Sequence, residues 1–377
     1  MGSTKKGGKQ ATTAKRSISG RRQETKETAL ITNLRRNNVT ILMAFCQNGY
    51  VFRAEELINA KANLEEQTLA GFTALMYAAQ EGHNPCIIAL MQGGAKVDAV
   101  ENKNWTALML AVSNRHHQCA RTLIGWKADV NVKNDVHFTP LMFAAQDGDD
   151  RCVKLLLEAE ADASYARPNG STAMMFACQD GHRLCLLALL KAEAVVDAAD
   201  HMGMTALMLA AQEGHHQCLI PLINAKAAID ATNTDGETSL WMSCEYGHVA
   251  CTQLLISSKA DVDSCSHALH ANGGYTPLIS AAKTGHQPCL LELIKAGANL
   301  ETKSTDGFTA LMTSCKSGDY ECTQALLQAR AAVDNQGPQD FTALMFACSA
   351  GRENCVLALL QAGAAVKHAS TPEAYTS

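Results

Sequence analysis

A histidine three residues ahead of a cysteine has the spacing of a metal-ligand pair, and the chain carries six such runs, among them His83 with Cys86 and His215 with Cys218. Cys265, His267 and His270 form a separate cluster, and Asp261 or Asp263 would supply a fourth zinc ligand. Asp98, Asp197, Asp230, Asp263 and Asp334 have the look of catalytic acids. Periodicity removes most of this chemistry. The HxxC runs and the aspartates each return at one position of a repeated unit, so a structural role explains them first. Only the Cys265 cluster stands outside, in the segment SCSHALHANGGY at 264–275, where an exposed loop with incidental histidines is the simpler expectation than a metal site. With no GxxxxGK loop and no nucleophile elbow, the sequence offers no catalytic centre, and no cofactor is expected.

The element that positions these residues is short. TALMYAAQEGHNPC, Thr73 to Cys86, restarts at Thr40, Thr106, Thr139, Thr172, Thr205, Thr238, Thr276, Thr309 and Thr342, with every step 33 residues except one of 38. TALMYAAQ is a run of good helix formers opened by a threonine able to cap the first free amides, and Gly82 closes it. A second helix, from about Asn84 to Gln92, puts Cys86, Ile87, Leu90 and Met91 on one face, and Gly94 supplies a left-handed stop. The remainder of each copy is rich in Asn, Asp and Gly, as a turn or hairpin requires.

This unit resembles the ankyrin repeat, with its TPLHxAAxxGH core and GA tail, and the resemblance runs over about residues 39 to 367 in ten copies. It implies an all-α fold, an ankyrin α-solenoid of helix-turn-helix repeats with loop fingers, and a protein-binding role. Two departures stand out. Methionine takes the histidine place of TPLH in eight copies, with Trp241 and Ile279 in the others, which predicts a stack held more by packing than by polar ties. The C-terminal glycine survives only at Gly94, Gly297 and Gly363. Lys61, Lys127, Glu160, Glu193, Lys226, Lys259 and Arg330 replace it elsewhere, so that either these residues are left-handed or the second helix runs on.

Residues 1–38 hold ten Lys or Arg against Glu24 and Glu27, a net +8 that leaves −13 for the rest of a chain totalling −5. This segment reads as a disordered basic tail, 39–367 as the repeat domain and 368–377 as a short C-terminal tail. Within the tail, Lys5, Lys6, Lys9, Lys15, Arg16, Arg21 and Arg22 are candidates for contact with a polyanion or nucleic acid, or for nuclear import. Leu30, Ile31 and Leu34 could cover the open face of the first repeat. The last helix, Glu353 to Gln361, lacks a polar outer face, so residues after Val366 or another subunit are expected to cover it. No apolar run approaches the ~18 residues of a membrane helix and no signal-peptide centre is seen, so the expectation is a protein of the cell interior, cytoplasmic or nuclear, with no membrane partner. Fourteen of the fifteen cysteines occupy two recurrent helix positions and read as core; Cys265 is the exception. Their ladders should stay reduced, because packed helices sit ~8–10 Å apart, beyond the reach of a disulfide.

Two rows that commonly face the partner in this family hold ten of the nineteen aromatic residues. The row before the threonine includes Phe72, Trp105 and Phe138. The row four residues after it includes Tyr77, Leu110, Phe143 and Phe176. An acidic row, Glu81, Asp147, Asp180, Glu213 and Glu245, runs beside them and gives way to Lys283 and Lys316. The pattern fits a groove for a basic segment with apolar anchors on the concave and loop face. The competing expectation is that the rings pack between adjacent loops. The function expected is therefore a non-catalytic scaffold for protein partners, and the alternative is a polyanion or nucleic-acid tether acting through the tail.

Overall fold

The computed structural model describes residues 38–266 and 273–366. Twenty helices run from Ile41–Gln47 to Glu353–Gln361 among these residues, with a single turn of 3-10 helix at Pro338–Asp340 and no strand longer than an isolated bridge. The fold is an all-α ankyrin solenoid. Its described residues divide into two compact units, 38–144 with 151–162 and 145–150 with 163–266 and 273–366, the boundary falling inside the fourth repeat.

Each repeat is a first helix of seven or eight residues and a second of nine, as in Ala74–Gln80 with Asn84–Gln92, or Ala206–Gln212 with His216–Asn224. Helices this short are marginal alone and depend on their neighbours. From Thr73 to Thr309 the threonine that opens the first helix is buried and takes one orphan amide: Thr73 Oγ1 accepts from the Met76 N–H at 3.3 Å and Thr205 Oγ1 from Met208 at 3.3 Å. Within each unit, first helices pack on first helices and second on second. The core is Ala, Leu, Met and Cys, with Met76, Met109 and Met208 fully excluded from solvent.

The methionines of the TxLM segment do more than fill space. The Met43 sulfur accepts the Thr40 N–H at 3.3 Å and Met76 that of Thr73 at 3.5 Å, closing a capping box in which a thioether plays the acceptor. These bonds close a helix end within one repeat and add no tie between repeats. Lys61, Lys127, Glu160, Glu193, Lys226, Lys259 and Arg330 all have φ between 58° and 67°, so the second helices stop on a left-handed residue and do not run on. Each such non-glycine residue costs about 1 kcal/mol relative to Gly.

Thirteen cysteines are buried and two, Cys265 and Cys348, are exposed. Cys348 corrects the expectation of fourteen core thiols. Cys46, Cys178, Cys244 and Cys315, at its position in earlier repeats, each lie beside a buried thiol of the repeat that follows, Cys86, Cys218, Cys289 and Cys355, and burial beside that thiol pushes each of the four up. Cys348 lies in the last described repeat, with no such neighbour. At the two ends of the array Ile41, Tyr50 and Phe52, and Leu357, Leu360 and Val366, are exposed apolar side chains.

Candidate functional site

The residues with apparent catalytic or ligand chemistry are engaged in holding repeats together. In the HxxC runs the histidine ring lies against a glycine of the previous repeat, where a Cβ on Gly82 would come within 2.7 Å of His116 and one on Gly148 within 2.4 Å of His182. Nε2 of His83, His116, His182 and His248 hydrogen-bonds to the backbone carbonyl of Gln47, Gln80, Gln146 and Gln212 at 2.8–3.1 Å. The cysteine of each run points into the core instead. The recurrent aspartates are ties of the same kind: Asp98, Asp197, Asp230, Asp263 and Asp334 accept the backbone N–H of Asp129, Ala228, Asp261, Asn299 and Ala365 at 2.9–3.0 Å. In the insert, Cys265 is exposed and Asp261 accepts the Asp263 N–H, while His267 and His270 lie outside the described residues.

The aromatic rows come together in the first unit. Thr68 N–H donates to the Phe72 carbonyl and Glu101 N–H to that of Trp105, so each finger is a tight hairpin that delivers its ring beside the first helix. Adjacent fingers are tied by Asn102 N–H to the Ala70 carbonyl at 3.1 Å and Asp135 N–H to that of Lys103 at 3.0 Å. The Phe143 ring receives Trp105 at 4.6 Å and Phe138 at 5.0 Å between centroids, and Phe72 packs on Tyr77 at 5.3 Å. All five rings are half-buried, each with a stacked edge and a wet one. Leu110 is buried at 7% exposure and so is core where an anchor was expected, whereas Glu81 is exposed. Burial pushes the Tyr77 phenol upward, so it stays a neutral donor.

Asp147, Phe176 and Asp180 belong to the second unit, where Phe176 is half-buried and Asp180 exposed. The rows also reappear there in a different form. Phe346 stacks on Phe308 at 5.0 Å and Phe341 at 5.4 Å, while Lys283 and Lys316 lie over the rings of Tyr275 and Phe308 at 5.2 and 4.6 Å. Such cation–π contacts keep the lysine stems against the surface. Sequence reasoning passed over one feature of this unit, a pocket around Trp241; its only signal was the odd residue in the TxLM segment. The tail residues Lys5, Lys6, Lys9, Lys15, Arg16, Arg21 and Arg22, the apolar trio Leu30, Ile31 and Leu34, and everything after Val366 lie outside the described residues.

Comparison with known proteins agrees with the geometry. A family profile described as ankyrin repeats (3 copies) matches at 9–101, 42–134, 82–166, 141–233, 218–304 and 293–370. The chain belongs to the ankyrin-repeat family. Among solved structures it is similar to the crystal structure of the human ASB11 ankyrin repeat domain, at 23% identity and a TM-score of 0.54, over 61% of this chain and 100% of that one. That likeness concerns the fold. No curated protein sequence matches the chain. Ankyrin repeat domains in general mediate protein–protein interaction, and no helix among the described residues is long and apolar enough to cross a membrane.

Proposed function

We propose that this ankyrin protein is a non-catalytic scaffold that holds a protein partner on the aromatic row of its first unit. The observation that carries the reading is the half-exposed set Trp105, Phe143 and Phe138, continued by Phe72 and Tyr77 and flanked by the carboxylate of Glu81. Large rings held rigid by each other lose little entropy on binding and still present an apolar edge. A partner segment with apolar anchors and a basic residue fits that surface, and Asp147, Phe176 and Asp180 offer the same chemistry in the second unit.

The test is capture of partners by the full chain and by a chain lacking residues 1–38, each washed at low and at ~0.5 M salt. An apolar row should retain its partner in both chains and at both salt concentrations, because its affinity is not carried by screened charges. Loss with the tail, or a steep fall with salt, would be the behaviour of a polyanion tether and would overturn the reading.

A further inference from the structure

The described chain enters at Asn38 with φ 55°, the left-handed conformation that closes later fingers at the same register position: Gly71, Asn104, His137, Gly170 and Gly203 have φ from 61° to 88°. A non-glycine residue adopts it rarely, so Asn38 marks the end of a turn that begins before it. Its side chain is tied as well. Nδ2 donates to the Gln67 carbonyl of the next finger at 3.0 Å, and Val39 follows in the row that holds Phe72 and Trp105.

The residues ahead of Asn38 are in the same register. Each repeat leaves its second helix through an alanine, an aliphatic residue two places on and an oxygen-bearing residue after that: Ala62, Leu64 and Glu65, then Ala95, Val97 and Asp98, then Ala128, Val130 and Asn131. One period before the first of these stand Ala29, Ile31 and Thr32. The oxygen ties neighbouring repeats. Glu65 accepts the Lys96 N–H at 2.8 Å, Asp98 that of Asp129 at 3.0 Å, Asn131 that of Asp162 at 2.8 Å and Ser164 that of Val195 at 3.3 Å, always 31 residues on. The amide at that distance from Thr32 is Asn63 N–H, which a hydroxyl can accept. The aliphatic residue packs on the next repeat, since Leu64 Cδ1 lies 3.2 Å from where a Cβ on Gly93 would stand. For Ile31 the residue in Gly93's position is Ala60, exposed just past Val51–Asn59. The first repeat has room for a neighbour: Ile41 is 51% exposed, whereas Ala74 at its position one repeat on is 2% exposed.

We propose that residues 28–39 form one more finger, docked on the first repeat, with Ile31 on Ala60 and Thr32 accepting the Asn63 N–H. Continuity favours this occupant: the chain arrives at Asn38 already in the closing conformation and bound to the next finger, and residues 28–37 carry the finger pattern in step. Arg35 falls where Arg167 stands in a later finger, whose N–H donates to the Ser171 carbonyl at 2.9 Å, so arginine is compatible with that place. Arg36 falls at the tip, in the position of Leu69, which is 74% exposed. The finger edge then begins with a cation, and the free basic segment shortens to residues 1–27. This adds a contact surface to the scaffold reading without resting on it.

The test is amide exchange and melting of the full chain beside single variants. Ile31→Asp should lower the melting temperature by a few degrees and speed exchange at Asn63 by about tenfold, the loss of one tie. Leu30→Asp should change neither, because Asn63, Lys96 and Asp129 at its position are exposed. Thr32→Val should speed exchange at Asn63 by about tenfold, and Thr32→Asp should not, since Asp98 makes the same bond one period later than Glu65. Equal damage from Leu30→Asp and Ile31→Asp would be the behaviour of a helical turn and would overturn the finger. Exchange of residues 28–37 at the rate of a free chain, with every variant silent, would overturn the docking itself. Protection at Asn63 that rises with protein concentration would make the cover a second copy and overturn the choice of occupant.

Discussion

The aromatic row of the first unit and the pocket of the second unit are built at the same positions of the same repeat, yet they are opposite surfaces. Around Phe143 the position before the threonine carries Trp105 and Phe138, and rings close the space between fingers. Around Met242 that position carries Glu237, and the space stays open. The tying residues do not change between the two: the capping threonine, the GH histidine and the finger hydrogen bonds recur in both units. A repeat protein can therefore alter its surface chemistry at two or three positions while the ties that set the stack stay in place.

The comparison rests on both regions sharing one helix register, and thiol labelling of the native chain would break it most sharply. Cys265 and Cys348 should react at once, and the thirteen buried thiols only through opening, slower by about a thousandfold or more for a domain of ordinary stability. Even reactivity across many cysteines would mean that the register is wrong.

Next in size are the costs of truncation. Met242 is 3% exposed, so Met242→Ala should destabilise by about 2–5 kcal/mol. Phe143 keeps a wet edge, and Phe143→Ala should cost less, about 1–3 kcal/mol, on the same core-truncation scale. Denaturant melts of the two variants decide it: equal costs would make the aromatic row ordinary core.

The smallest effect is a matter of pH, and it should be the same in kind in both units. Burial pushes the Cys119 thiol up to about 11 and that of Cys251 up to about 12. An unfolded thiol ionises near pH 8.5. Above that pH the unfolded chain has released a proton that the folded chain still holds, so stability is fully present below pH ~8.5 and falls as pH rises toward the folded value. The slope is roughly 1.4 kcal/mol per pH unit for each thiol. Melts at pH 8 and pH 10 should show Cys119→Ala and Cys251→Ala each less pH-sensitive than the parent chain.

Much of this architecture was legible before any coordinates. The second helix expected from about Asn84 to Gln92 spans Asn84–Gln92, and the threonines fall at N-caps because a 33-residue period makes one copy's chemistry predict the rest. What period alone cannot supply is context. Cys348 has the sequence of a core residue, but its burial depends on a following repeat. Leu110 reads as a surface anchor, but at 7% exposure it belongs to the core. The pocket at Trp241 arises from a volume missing at Glu237, and a missing volume has no signature until neighbouring repeats are placed side by side. The thioether caps escaped for a similar reason: composition marks methionine as apolar, and only its distance to the threonine amide shows it accepting.

The most direct test of the scaffold account is Trp105→Ala in the full chain, measured for affinity per folded molecule against a captured partner and, in parallel, for melting temperature. An exposed anchor should lose ~2 kcal/mol or more of binding, about thirtyfold, with a small change in melting. Affinity unchanged beside a lowered melting temperature would show that the rings of the first unit only brace its fingers, and would contradict the account.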